Sequence, residues 1–420
     1  MSENSTVRGE DFTNITEDAI ASYNKALEFK PDDHNAWINR GNALFDLGRY
    51  EDAIASYDRA VELKPDTHQA WINRGVALGN LSRHEDAVIS YDKAIEINPD
   101  TYEAWGNRGI DLGDLGRYEE AIISYDKAVE LKPDNHQAWI NRGNALGNLS
   151  RHEDAVISYD KAIEINPDRF EAWHNRGVAL SSLSRYEEAI ASYEKALGLK
   201  PDDYQAWFDR GSILIYLGRY EKGIVSLFQA LQIKPDEDIL WDGMETLLLT
   251  VKEHFKSSGK IESIPLVIQA YKDGIKILEQ TGDQKRLLRF SYQIGKALLE
   301  LGNYTEAIEN LQVCEQISQE LSDIPALALT LFDLARLFHI TGRLEQARLY
   351  FKDSLRLFRR LQDLEKTAAV TLALGNLEMQ IGKISQSKIH LKEAESYYKE
   401  QHNSERLEEI NYLLQILEAA

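Results

Sequence analysis

The sequence predicts an all-α protein, a solenoid of helix–turn–helix repeats, and two periodicities carry that expectation. Pro31, Pro65, Pro99, Pro133, Pro167, Pro201 and Pro235 stand 34 residues apart, and Trp37, Trp71, Trp105, Trp139, Trp173, Trp207 and Trp241 keep the same period six residues later. Further along, Asp283, Asp323 and Asp363 are 40 apart, as are Gly302, Gly342 and Gly382. Fixed spacings of about 20–50 residues mark units that cannot bury their apolar faces alone and stack on copies of themselves.

Within the block Pro31–Lys64, Trp37, Gly41 and Leu44 fall at i, i+4 and i+7, one face of a helix over about 34–47. Gly48-Arg49 breaks it. A second helix over about 50–63 carries Ala53, Tyr57 and Ala60 on one stripe, and Pro65, lacking an amide proton, ends it. Asp33, Thr67, Thr101, Asn135 and Asp203 precede five of the first helices, where a side-chain oxygen can cap free amides. The tryptophans are expected to face the packed interior.

Trp37, Gly41, Ala53, Tyr57, Ala60 and Pro65 hold the signature positions of the tetratricopeptide repeat, and the pattern recurs in six blocks over 31–234. The chain thus resembles the tetratricopeptide repeat family, which implies a right-handed superhelix whose first helices line a concave groove. Two departures run through the blocks. Arg40, Arg74, Arg108, Arg142, Arg176 and Arg210 replace an apolar residue before the glycine, and Leu44 and its equivalents replace a tyrosine. Block six is loosest, with Gly223 and Leu227 for alanine and tyrosine.

Taken in order, residues 1–15 are polar and expected to be flexible. Residues 16–30 repeat the second helix of the block without its first, so 16–234 reads as a half repeat plus six full ones. Blocks 65–98 and 133–166 differ at two of 34 positions, a sign of duplication. Residues 235–283 read as a degenerate transition repeat. Residues 284–403 read as three 40-residue hairpins resembling the long repeats of kinesin light chain, and 404–420 as a capping helix.

The net charge of −21 disfavours nucleic acid and anionic membranes as partners, since phosphates require a basic footprint. No run of 18 apolar residues offers a membrane span, and the N-terminal stretch has no apolar core of a signal peptide, so a cytoplasmic protein is expected. The single cysteine, Cys314, follows Ala307 and Leu311 on one helical stripe and reads as a buried, inert thiol. The ten histidines form no metal-spaced motif, and the glycines follow the repeat rather than a phosphate loop. No catalytic site, cofactor or metal is expected.

The strongest functional feature is a ladder of amides. Asn39, Asn73, Asn107, Asn141 and Asn175, ending in Asp209, lie two residues after each tryptophan, rotated about 200° from it and so directed away from the interior. In the resembled fold this position faces the groove, as in the repeats of O-linked N-acetylglucosamine transferase, where asparagines grip a peptide main chain. An amide both donates and accepts, so it can pair with the backbone of any sequence. Asn42 and Asn144 extend the ladder, and Ile72, Ile140 and Phe208 would contact side chains. Lacking lysine, the groove suits a neutral or basic extended segment. The arginines are expected to pair with Asp58, Asp92, Asp126, Asp160 and Glu194 on second helices. Arg348, Lys352, Arg356, Arg359 and Arg360 form a basic stripe that could dock a partner. The chain reads as a non-catalytic scaffold or adaptor holding an extended segment. The alternatives are a peptide sensor acting through the 40-residue repeats, or a structural protein that self-associates through its N-terminal half repeat.

Overall fold

Each 34-residue block folds into two antiparallel helices because its two apolar stripes face each other across a tight turn. The structure, a computed structural model, describes residues 3–259 and 264–419, with side chains over 16–259 and 265–418. The link at 260–263, inside the expected transition repeat, lies outside the described residues. The chain divides into two compact units, Met1–Ile213 and Leu214–Ala420.

The first unit contains α1 (Glu3–Phe29), α2 (His34–Asp46), α3 (Tyr50–Leu63), α4 (His68–Asn80), α5 (His84–Ile97), α6 (Tyr102–Asp114), α7 (Tyr118–Leu131), α8 (His136–Asn148), α9 (His152–Ile165), α10 (Phe170–Ser182) and α11 (Tyr186–Leu199); the division falls near the end of α12 (Tyr204–Tyr216). Helices α2 to α11 pair successively as hairpins, and each hairpin packs on the next. Helix α1 reaches back through most of the stretch expected to be flexible, where no proline interrupts it.

Close approach within a hairpin is set by glycine. A Cβ added to Gly41, Gly75, Gly109, Gly143 or Gly177 would meet the ring of Tyr57, Tyr91, Tyr125, Tyr159 or Tyr193 at 2.8 Å or less. The turns need a left-handed residue, supplied by Gly48 and Gly116 but by Ser82, Ser150 and Ser184 in the other three hairpins.

The shared period of proline and tryptophan has a direct cause. Each tryptophan Nε1 donates to the carbonyl of the proline six residues earlier, at 2.8–3.0 Å in all seven blocks. The bond closes the junction between one hairpin and the next. The tryptophans face the core as expected, Trp37, Trp71, Trp105 and Trp139 packing against its buried residues, but Trp37 to Trp207 are only half-buried, whereas Trp241 alone is fully buried. Capping is likewise uneven. Asp33, Asn135 and Asp203 accept from helix amides, whereas the Thr67 and Thr101 hydroxyls are buried and make no cap.

The second unit contains α13 (Tyr220–Ile233), α14 (Asp238–Ser257), α15 (Ile264–Thr281), α16 (Gln284–Glu300), α17 (Tyr304–Glu320), α18 (Ile324–Ile340), α19 (Leu344–Leu361), α20 (Leu364–Gln380), α21 (Ile384–Glu400) and α22 (Ser404–Ala419). Its core begins where Trp241 meets Phe290 edge-on at 5.4 Å and Tyr271 meets the same ring at 5.1 Å. Burying Phe290 fully contributes about 1.5–3 kcal/mol. The 40-residue aspartate period is a capping period: Asp283, Asp323 and Asp363 accept from the amides of Arg286, Ala326 and Lys366. Leucine replaces the hairpin tyrosine here, since a Cβ on Gly295 would lie 2.7 Å from Leu311 Cγ. Helix α22 buries Ile410, Leu413 and Leu417 against α21 and leaves Tyr412 exposed.

Candidate functional site

The first helices α2, α4, α6, α8 and α10 lie side by side, so residues at one position of each form a column across the first unit. Asn39 is exposed, while Asn73, Asn107, Asn141, Asn175 and Asp209 are half-buried. Several of these amides are bonded from one first helix to the next. Asn73 Nδ2 donates to Asn42 Oδ1 at 2.9 Å, and Asn175 Nδ2 to Asn144 Oδ1 at 2.9 Å. The same Oδ1 atoms accept from the Tyr57 and Tyr159 hydroxyls at 2.8 Å, fixing both amides from below. Burial raises both phenols, which stay protonated and keep donating. Gln69 and Gln137 donate to Asn73 and Asn141 at 2.9 and 3.0 Å.

Two depressions open on this surface. One, of about 540 Å³, is bordered by Gln137, Asn141, Asn144 and Asn148 on α8 and by Ile110 and Asp114 on α6. The other, of about 260 Å³, is bordered by Val76, Asn80, His84, Tyr91, Asn107 and Asp111. Ile72 and Ile140 do not line either. They are 4% and 2% exposed, packed against neighbouring helices, and cannot choose a partner's side chains as expected. Phe208 is half-buried. The apolar contacts lie one turn later, where Ile110 and Val178 are each 43% exposed.

The arginine column runs beneath. Arg74 Nε lies 2.6 Å from Asp58 on the preceding α3, and its Nη1 donates to Ser90 Oγ on α5 at 2.7 Å. Arg108, Arg142 and Arg176 repeat both bonds with Asp92 and Ser124, Asp126 and Ser158, Asp160 and Ser192. Arg210 pairs with Glu194 at 2.8 Å, and Arg40 uses Asn24 and Ser56. Arg40, Arg74, Arg108, Arg142 and Arg176 each join three helices. The serines are fully buried. Their own 34-residue period was the readable signal for this second partner.

Models of the tetratricopeptide repeat match residues 16–67 and 38–101, 136–169 and 170–203, 204–237 and 287–360, and a TPR repeat model matches 112–150. Together they span well over half of the chain. It belongs to the tetratricopeptide repeat (TPR) family. No curated protein matches it. Among solved structures it is similar to YrrB, described as a TPR protein with an unusual peptide-binding site, at 23% identity over 45% of this chain and 97% of that one, TM-score 0.41. It is similar to the C-terminal part of a TPR repeat-containing protein from Cytophaga hutchinsonii at 17% identity, 56% and 96% coverage and TM-score 0.48. Likeness to Pseudomonas aeruginosa pilF is 18% over 52% and 99%, TM-score 0.45. As a TPR protein the chain is a protein-interaction scaffold, of a family generally without catalysis. Among the described residues no helix is long and apolar enough to cross a membrane.

In the TPRs of the second unit the basic stripe on α19 divides. Lys352, Arg356, Arg359 and Arg360 are exposed. Arg348 is not free to dock: it lies 3.3 Å from Glu345 and 3.4 Å from the fully buried Glu378, which also binds His390 at 2.7 Å. Glu378 sits 30 residues away on the next TPR, so the pairing has no local sequence signal. This unit also holds a depression of about 470 Å³, bordered by Lys285, Arg286, Arg289, Tyr292, Asp323 and Thr330 among others.

Two histidine–aspartate clusters in the 34-residue TPRs were missed. His174 stands where three other TPRs have isoleucine, with Nδ1 3.2 Å from Asp203 and Nε2 3.6 Å from Asp209. Burial is the largest single influence on the Asp203 carboxyl and works to raise it, but the bond and charge of His174, the Ala206 amide and the charge of Lys200 together outweigh it and the net shift is downward; burial holds Asp209 above the usual carboxylate range. The other joins His84 to Asp111 and Asp114. Both break columns that are otherwise apolar, which was the available clue.

Proposed function

We infer that the protein is a non-catalytic adaptor that holds an extended, neutral or basic peptide segment across the first helices of its 34-residue TPRs. The single observation carrying this is the amide border of the larger depression. Gln137, Asn141, Asn144 and Asn148 present donors and acceptors to an open surface, beside the exposed apolar edge of Ile110. An amide row of this kind matches the alternating donors and acceptors of a main chain, and Ile110 offers side-chain contact. Asp111, Asp114 and Asp209 on the same surface disfavour an acidic segment.

The test is selection of binders from a display library of random peptides, followed by fluorescence anisotropy of the selected peptides. Asn141→Ala, which leaves the Tyr159–Asn144 bond intact, should weaken them at least about tenfold with an unchanged circular dichroism melt. Equal affinity for wild type and Asn141→Ala would remove the reading. A second reading, a sensor acting through the 40-residue TPRs, is favoured by the depression at Arg289 and Thr330, where the buried Thr330 hydroxyl has no partner. Peptides lost on Arg289→Ala but kept on Asn141→Ala would select it.

A further inference from the structure

Asp111 is anomalous within its own column. Ala43, Ala77, Ala145, Ala179 and Ile213 hold that place in the other five blocks, and a carboxylate there is 5% exposed. Burial of a carboxylate is costly unless a cation or strong donors meet it. Burial raises the Asp111 carboxyl, and His84 only partly opposes this. Gly79 leaves the room: a Cβ there would lie 2.9 Å from Asp111 Oδ1. His84, also a departure from Tyr50, Tyr118, Tyr186 and Tyr220, places Nδ1 2.7 Å from Asp111 Oδ1 and 3.8 Å from Asp114 Oδ2.

We propose that His84, Asp111 and Asp114 form a site for one divalent transition-metal ion, of the class of Zn²⁺, on the groove surface between the second and third TPRs. One imidazole nitrogen and two carboxylate oxygens are the donor types such ions take. One ligand atom from each lies within 4.8 Å of the others. Ligand bonds of about 2.0–2.2 Å need a somewhat tighter triangle. Asp114 is exposed on α6 and swings to close it, while α5 and the buried Asp111 fix the other two corners. As the ion binds, any proton held between Nδ1 and Oδ1 leaves to solvent, and the neutral imidazole carries its remaining proton on Nε2. Tyr91 lines the same depression beside Asp111, where its hydroxyl can support the carboxylate as outer partners do in metal centres. Three protein ligands leave a coordination position open toward the 260 Å³ depression, beside Asn80 and Asn107.

The near-repetition of the sequence supplies its own control. His152 occupies the same position as His84 one duplicated pair later, but faces Ala179 and Ser182 in place of Asp111 and Asp114. Four variants of the full chain, freed of metal by chelation, are compared with wild type by titration calorimetry with ZnCl₂. Asp111→Ala and His84→Tyr each install the residue found at that place in most other blocks, so folding is retained, and Asp111→Asn keeps the side-chain shape. Each should weaken binding at least about tenfold, the size of loss seen when a metal site is disturbed. His152→Tyr should leave the affinity and the single-ion stoichiometry as in wild type. Absence of saturable binding by wild type, wild-type affinity in both Asp111→Ala and Asp111→Asn, or loss on His152→Tyr would each overturn the site. None of these results depends on whether a peptide binds the amide row.

Discussion

Gly143 on α8 lies so close beneath Tyr159 on α9 that a Cβ on the glycine would sit 2.5 Å from ring atom Cε1. The ring is held on both sides, since its hydroxyl donates to Asn144. The contact therefore ties hairpin packing to the amide row on the surface. Gly143→Ala must displace the ring and should cost about 1–3 kcal/mol, the usual penalty of overpacking. Gly106, mid-helix in α6 with nothing near its missing Cβ, should respond in the opposite way, gaining up to about 1 kcal/mol on substitution by alanine. Urea unfolding of both variants checks the pair of signs.

Arg108 holds Asp92 and Ser124 on two different helices, and its side chain is 17% exposed. Asp92 is 51% exposed and rehydrates when the pair is broken. Arg108→Ala should thus destabilise by about 1–2 kcal/mol, more than Asp92→Ala, whose loss should stay below about 1 kcal/mol. Equal losses in a urea double-mutant cycle would mean that the serine bond contributes nothing.

Asp209 ends the asparagine column, and burial raises its carboxyl. A raised folded-state value means the native state binds that proton more tightly than the unfolded chain does. The stability this confers is present below the unfolded-state value of about 4 and is lost as pH rises through the folded-state value. Asp209→Asn removes that loss. It should raise the melting temperature near pH 7, with the gain fading as pH falls toward about 4. Asp203 runs the other way: its net shift is downward, since His174, the Ala206 amide and Lys200 together outweigh burial, so its contribution persists above about 4 and disappears in acid. Melting curves of Asp209→Asn and Asp203→Asn should therefore both diverge from wild type near pH 7, the first upward and the second downward, and both converge on it in acid.

Cys314 on α17 is fully buried, and burial pushes its thiol up to about 12. With almost no thiolate at neutral pH, it should resist a maleimide in the native protein and react once denaturant opens the second unit. Labelling at rates close to those of a free thiol under native conditions would contradict this burial.

The hairpins were legible because proline, tryptophan, glycine and tyrosine recur at fixed offsets, and each offset has one geometric cause. The arginine–carboxylate pairs were legible for the same reason. Ile72 and Ile140 were misread because a first helix here touches more than one neighbour. It meets second helices on one side and other first helices on another, leaving a stripe too narrow for rotation from tryptophan to locate. The tryptophans face the core as expected, though periodicity alone marks them as structural without showing that Nε1 seeks a loop carbonyl. Arg348 and Glu378, or His84 and Asp111, meet across about 30 positions with no recurring spacing to announce them.

Bonds that repeat from block to block have a consequence for inheritance. Asp58 meets Arg74, and Asp126 meets Arg142, through identical atoms. Unequal recombination that excised residues 65–132 would hand Asp58 to Arg142 and Asn42 to Asn141, with no new interface to be invented. The near-identity of 65–98 and 133–166 makes the coding sequence prone to such an exchange. Repeat copy number, and with it the extent of the first-helix surface, is then a trait that lineages can vary in a single genetic step. Asp111 marks which copy is which, since an exchange that removed it would erase the one carboxylate in its column.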